Sequence, residues 1–157
     1  MARLLLLALI LCLSPAIAST QESPAGAPPS ATSQVTFLYV NDIQKAAEFY
    51  GKTLALRNTL DLAWVKMFET SPGAIVGLVG AGRGAHKPSP QKPVMISLVV
   101  PKPADVDRWY GFLEAKGVTM RSEPHDSGSG APGDANVRVF GFLDPEGHTL
   151  EGVGIPS

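Results

Sequence analysis

The chain contains its own internal copy. Val35-Thr36-Phe37-Leu38-Tyr39-Val40 aligns with Met95-Ile96-Ser97-Leu98-Val99-Val100 at an offset of 60 residues, and the same offset carries Phe49-Tyr50-Gly51 onto Trp109-Tyr110-Gly111. Val65-Lys66-Met67-Phe68 then matches Val137-Arg138-Val139-Phe140 at an offset of 72, and the stretch from Gly73 to Gly80 matches Gly147 to Gly154 at 74. The widening offset places the longer loops in the second copy. A unit of this length cannot bury its hydrophobic face alone, so the duplication predicts one shared interior, with any site where the copies meet.

At 157 residues the chain is long enough for one well-packed domain and short for two. It opens with Met1-Ala2-Arg3, a positive charge, followed by an unbroken apolar run from Leu4 to Leu13 and the small-x-small pattern Ala16-Ile17-Ala18. This is the grammar of an export signal cleaved after Ala18. The apolar run is about half the roughly 20 residues that a spanning helix needs. Residues 1–18 are therefore read as a signal peptide and the processed protein as periplasmic or secreted. Cys12, the only cysteine, leaves with the signal, so the exported domain has no thiol to oxidise. Arg3 leaves too, and 12 basic side chains then face 14 acidic ones, a formal charge of −2. Such a balance carries no footprint for nucleic acid or for an anionic membrane.

Residues 19–33, rich in Ser, Ala, Pro and Gly with Glu22 as the single charge, read as a flexible tether. Residues 34–155 form the folded domain, with units at about 34–80 and 94–154. The first unit opens with a strand over 35–40. Asn41 and Asp42 are good N-caps for a helix reaching about Lys52, whose stripe Ile43, Ala46, Ala47 and Tyr50 docks on a sheet. Strands over about 55–60, 63–69 and 74–79 complete a βαβββ order. The second unit repeats it: a strand to Val100, Pro101 and Pro103 opening a helix, the stripe Val106, Trp109, Tyr110 and Leu113, and Gly117 closing it. A strand is expected near 118–121. Residues 122–134, with Ser127-Gly128-Ser129-Gly130 and Pro132-Gly133, read as a loop and a candidate lid.

Phe37-Leu38-Tyr39-Val40-Asn41-Asp42, Ala47-Glu48-Phe49-Tyr50 and the distal Phe142-Leu143-Asp144-Pro145-Glu146-Gly147-His148-Thr149-Leu150-Glu151 resemble the vicinal oxygen chelate superfamily, the glyoxalase, bleomycin-resistance and dioxygenase group. The resemblance spans about 35–153. It implies an α+β fold of two βαβββ modules forming one open eight-stranded cup, with a helix outside each module. It also implies that a metal, where one is bound, is held from the first and last strands of each module. Through the internal repeat those positions are Val35, Gly77, Met95 and Glu151.

Only Glu151 carries a donor suited to a hard divalent cation, because Val and Gly offer none and a Met thioether is a soft ligand. Strand alternation gives a second view of the same residues. If Thr36, Leu38 and Val40 face the helix, then Val35, Phe37 and Tyr39 line the cup, as do Met95, Ser97 and Val99, with Thr149, Glu151 and Val153 on the last strand. A carboxylate on a mostly apolar wall needs a partner, and Arg138 in the neighbouring strand is the candidate.

These readings define the expected function: an exported protein that binds a small organic molecule in an apolar cup, without metal or other cofactor. Glu151 is the catalytic candidate and the metal ligand if there is one. Val35, Phe37, Tyr39, Met95, Ser97, Arg138 and Thr149 are the ligand-binding candidates. The alternative is a metal-dependent glyoxalase- or dioxygenase-type enzyme with ligands re-sited onto His125, Asp126 or His148 around Glu151. No Ser-His-Asp or Cys-His constellation and no phosphate-binding glycine loop accompanies them. The resemblance allows a homodimer, although a chain holding both modules does not require one.

Overall fold

A computed structural model describes residues 31–128 and 137–155. Residues 1–18, read as an export signal, and nearly all of the segment read as a tether therefore lie outside the described residues, as does most of the second half of the candidate lid. No helix among the described residues is long and apolar enough to cross a membrane.

The element order is β1 (Gln34–Val40), α1 (Ile43–Glu48), β2 (Arg57–Asp61), β3 (Val65–Ser71), β4 (Ala74–Gly80), β5 (Met95–Val100), α2 (Pro103–Ala115), β6 (His125–Ser127), β7 (Val137–Leu143) and β8 (Thr149–Gly154). Two four-stranded sheets result, ordered β1-β4-β3-β2 and β5-β8-β7-β6. In each, the first strand runs parallel to the last and the remaining pairs are antiparallel. The parallel pairing follows from the helix, since a crossover on one face must return the chain in the same direction. The two sheets repeat one topology and are not joined by strand pairing, so β1 and β5 are both edges.

Asp42 caps α1 as its residue type predicts, its carboxylate accepting from the N–H groups of Gln44 and Lys45. The helix then widens into a π-helical turn, Phe49–Thr53, which carries Phe49 and Tyr50 inward. Pro103 opens α2, and Gly117 closes it at φ 71°, a left-handed conformation that an L side chain resists.

The interior is shared between modules. Leu38, Val40, Ala46, Tyr50, Phe68 and Leu78 of the first unite with Val106, Leu113, Phe140, Phe142 and Leu150 of the second in one buried cluster. Phe142 is the pivot: it stacks on Phe140, meets Trp109 edge-on, and lies 6.5 Å from Phe49 of the first module. Full burial of one such ring is worth about 1.5–3 kcal/mol, so this contact is a substantial tie between the halves.

The second module departs from expectation in one region. The strand expected near 118–121 is reduced to a single bridge between Met120 and Phe142, and the fourth strand forms later, at His125–Ser127, inside the segment read as a loop. Its pairing with β7 supplies what its polar sequence does not advertise: His125, Asp126 and Ser127 register against Val139, Arg138 and Val137.

Candidate functional site

Strand alternation places the candidate residues on the face that the helices leave open. Leu38 and Val40 are buried against the core while Phe37, next to Leu38 on the strand, is 45% exposed, and in the second module Met95 is 56% and Val99 63% exposed. Register fixes the neighbours of Glu151: Ser97 lies opposite it on β5 and Gly141 on β7. The Ser97 hydroxyl donates to Glu151 Oε1 at 2.5 Å, a short charge-assisted bond. Gly141 has no side chain to fill its place, and the Arg121-Ser122 segment crosses there, with Ser122 Oγ accepting from the Gly141 N–H. That crossing brings Arg121 over the sheet, where its guanidinium donates to Thr149 Oγ1 at 2.9 Å.

Around these groups lies a cavity of about 670 Å³, whose lining includes Met95, Thr149, Glu151, Arg121, His125 and Lys92. This is ample for a small organic molecule. Its chemistry is mixed rather than greasy: one carboxylate and two cationic side chains face the same space as Met95 and Val139. Sequence reasoning missed Arg121, Ser122 and Lys92, because they lie in connections with no hydrophobic period to locate them.

The ligand-binding candidates divide between places. Met95, Thr149 and Glu151 share the cavity, and Ser97 joins them through its hydrogen bond. Phe37 and Tyr39 line a different concavity at the seam between the modules. Val35 and Phe37 pack over Gly77: a Cβ at that position would come within 2.5 Å of the Phe37 ring and 3.3 Å of Val35 Cγ1. Arg138 requires a correction. It is not the partner of Glu151 but lies on the helix side of β7, donating to Asp107 at 2.6 and 2.7 Å and to Asp126 at 3.1 Å. The repeat contains the signal, since the mate of Arg138 is Lys66, which also lies on the helix side, buried and paired with an aspartate, Asp61.

The family's metal positions do not fit a hard cation. Three of them offer no suitable donor, and the ring of Phe37 fills the space beside Gly77. The re-sited alternatives are dispersed. His125 faces the cavity from β6, two strands from β8 and so roughly 10 Å away by strand spacing. Asp126 is engaged by Arg138. His148 is buried, its Nδ1 3.0 Å from Asp144 Oδ2. Among the described residues no three His, Cys, Asp or Glu side chains converge to hold an ion.

The turn before β8 forms a second polar cluster. Asp144 accepts from the N–H groups of Glu146 and His148, and from the hydroxyl of Tyr50 at 3.1 Å across the module boundary. Burial alone would push the Asp144 carboxyl up, but the hydrogen bond and charge of His148 and the two backbone donors outweigh it and hold the pKa below its ordinary value. Tyr50 moves the other way, raised by its burial and then by the adjacent carboxylate.

Residues 32–151 match the Glyoxalase/Bleomycin resistance protein/Dioxygenase superfamily. The chain belongs to that superfamily. Among its relatives is the uncharacterized protein YraH of Bacillus subtilis (strain 168), 29% identical in a 124-residue alignment that covers 73% of this chain and 91% of the relative. A lactoylglutathione lyase from Agrobacterium tumefaciens superimposes with a TM-score of 0.63 at 22% identity, covering 81% of this chain and 95% of its own. A glyoxalase/bleomycin resistance protein/dioxygenase from Nocardioides gives a TM-score of 0.62 at 25% identity, covering 83% and 89%. The likeness to the lyase, at that identity, carries the fold and not the activity.

Proposed function

We propose that the protein is an exported, metal-independent member of the superfamily that holds a small organic molecule in the cavity floored by Glu151. The observation that carries this reading is the arrangement of Glu151, bonded to Ser97, in the same cavity as Arg121 and Lys92. Glu151 keeps acceptor capacity after Ser97 has donated to it, and Arg121 keeps donors after bonding Thr149. The complement is a ligand with a hydroxyl or amine at one end and an acceptor or carboxylate at the other, its body against Met95 and Val139. Glu151 would accept from the first and Arg121 and Lys92 would bind the second.

Calorimetry or thermal shift against a panel of small hydroxy and amino acids, in the presence of a chelator, tests this. Ligands that stabilise the protein should lose about tenfold or more in affinity with Glu151→Gln and again with Arg121→Ala, as expected when a hydrogen bond to a charged group is lost. Ligands indifferent to both substitutions, or binding only when metal is restored, would overturn the reading.

Export rests on residues 1–18. Processing after Ala18 leaves Ser19 as the first residue, and N-terminal sequencing of the protein from its natural host checks it; an intact Met1 or Ala2 would count against it. The exposed faces bearing Phe37, Met95 and Val99 also suit a second copy of the chain, and sedimentation at increasing concentration would show a monomer–dimer equilibrium if they pair.

A further inference from the structure

We infer that the concavity at the seam of the two modules is a second binding site, adjoining the first at Lys92 and selective for small anions with an apolar body such as aromatic carboxylates. Its volume is about 360 Å³, and its lining brings together Phe37 and Tyr39 of β1, His86, Lys87 and Lys92 of the connection between modules, and His148 of the turn before β8. Four groups that are or can become cationic thus face one space, and no Asp or Glu is among the described residues that line it. The carboxylates that act on two of these groups are committed elsewhere. Glu146, which acts on Lys92 through its charge, is taken up by the N–H groups of Asn41 and Asp42, and Asp144 stands behind His148.

His148 supplies the directional element. It is 5% exposed, and with Nδ1 fixed on Asp144 the ring can address the cavity only through Nε2. Among the described residues no side-chain nitrogen or oxygen is both sealed from solvent and without a hydrogen-bond partner, so Nε2 keeps access to the space that His148 lines. An imidazolium held in this way would donate from Nε2 to an anion. The walls decide what kind of anion. Tyr39 and His86 meet edge-on with centroids 5.4 Å apart, and the Tyr39 hydroxyl is occupied by the Ala85 N–H, so the aromatic faces are held in place. Phe37 and Val94 complete an apolar side against which a ring can lie. Cationic side chains gathered around one concavity attract an anion, and the apolar side separates benzoate from a bare inorganic ion.

The test is NMR titration of the purified protein with benzoate, benzamide and inorganic phosphate, observing the rings of Tyr39, His86 and His148. Benzoate should give saturable shifts at all three rings. Benzamide, its uncharged counterpart, and phosphate, which lacks the ring, should bind about tenfold more weakly or less. Lys87→Ala, a substitution at an exposed loop position, should weaken benzoate by a similar factor without disturbing the fold. Benzamide or phosphate equalling benzoate would overturn the inference, as would shifts confined to the Glu151 cavity, no saturable shift, or indifference to Lys87→Ala.

Discussion

The carboxylate of Glu146 accepts hydrogen bonds from both the backbone N–H and the side-chain amide of Asn41, at 2.9 and 3.0 Å, across 105 residues of chain. Its other oxygen takes the N–H of Asp42, the residue that caps α1. A residue of the second module thus fixes where the first helix of the first module begins, and the Asp144–Tyr50 bond repeats the tie about two turns of helix further on. The two halves are locked by specific polar contacts as well as by the rings of Phe49 and Phe142.

Replacing Glu146 by Ala leaves three donors without their acceptor, at a site where water can partly replace it. The expected loss is about 1 kcal/mol of unfolding free energy. Denaturant titration should show a lower midpoint with an unchanged slope. An unchanged midpoint would mean that the contact is energetically idle.

Tyr50→Phe removes a buried donor from Asp144 and keeps the ring in the core. Asp144 retains His148 and two backbone N–H groups, so the cost should be about 1–2 kcal/mol and not the larger penalty of an orphaned charge. Asp144→Ala, which strands Tyr50 and His148 together, should cost more than Tyr50→Phe. The reverse order, measured in the same denaturant series, would contradict the network.

Asp144 and Glu146 both titrate below their ordinary values in the folded state. Burial pushes each up, and hydrogen bonds from His148 and backbone groups, or from Asn41 and Asp42, more than offset it. A carboxylate with a depressed folded pKa stabilises the protein above its unfolded pKa, and that contribution disappears as the pH falls through the folded value. Stability should therefore decline on acidification through and below the normal carboxylate range. The double variant Asp144→Asn, Glu146→Gln should flatten that decline, as read from midpoints measured across acidic pH. An equally steep decline in the variant would assign acid sensitivity to other groups.

Gly77 and Phe37 are coupled by space. Gly77→Ala drives a methyl into the Phe37 ring and should cost about 1–3 kcal/mol, the range for overpacking. In a Phe37→Ala background the same change should cost clearly less. A double-mutant cycle with no coupling would show that the ring does not occupy the place where the family's ligand would stand.

Much of this was legible in the sequence because the repeat and the strand period are both strong signals. Parity alone put Phe37 and Met95 on the open face and Leu38 and Val40 in the core, and Asp42 announced its cap. What escaped reading was what register and loops decide. β6 is a strand only because β7 offers it hydrogen bonds; its polar residues carry no alternation. Arg121 reaches the site because Gly141 leaves room for a crossing segment, a relation between positions 20 residues apart with no local trace. Strand adjacency alone pairs Arg138 with Glu151, whereas its repeat mate Lys66 places it on the opposite face. The division of Phe37 and Tyr39 from Thr149 and Glu151 depends on how the connection carrying His86 and Lys92 folds back, which no period in the chain encodes.

The most direct test is elemental analysis of the protein purified without a metal-binding tag, alongside Glu151→Ala. The account predicts metal well below one equivalent in both, and ligand binding by the unsubstituted protein that survives chelation. One equivalent of zinc, nickel, manganese or iron in the unsubstituted protein, lost in Glu151→Ala together with binding or turnover, would contradict it.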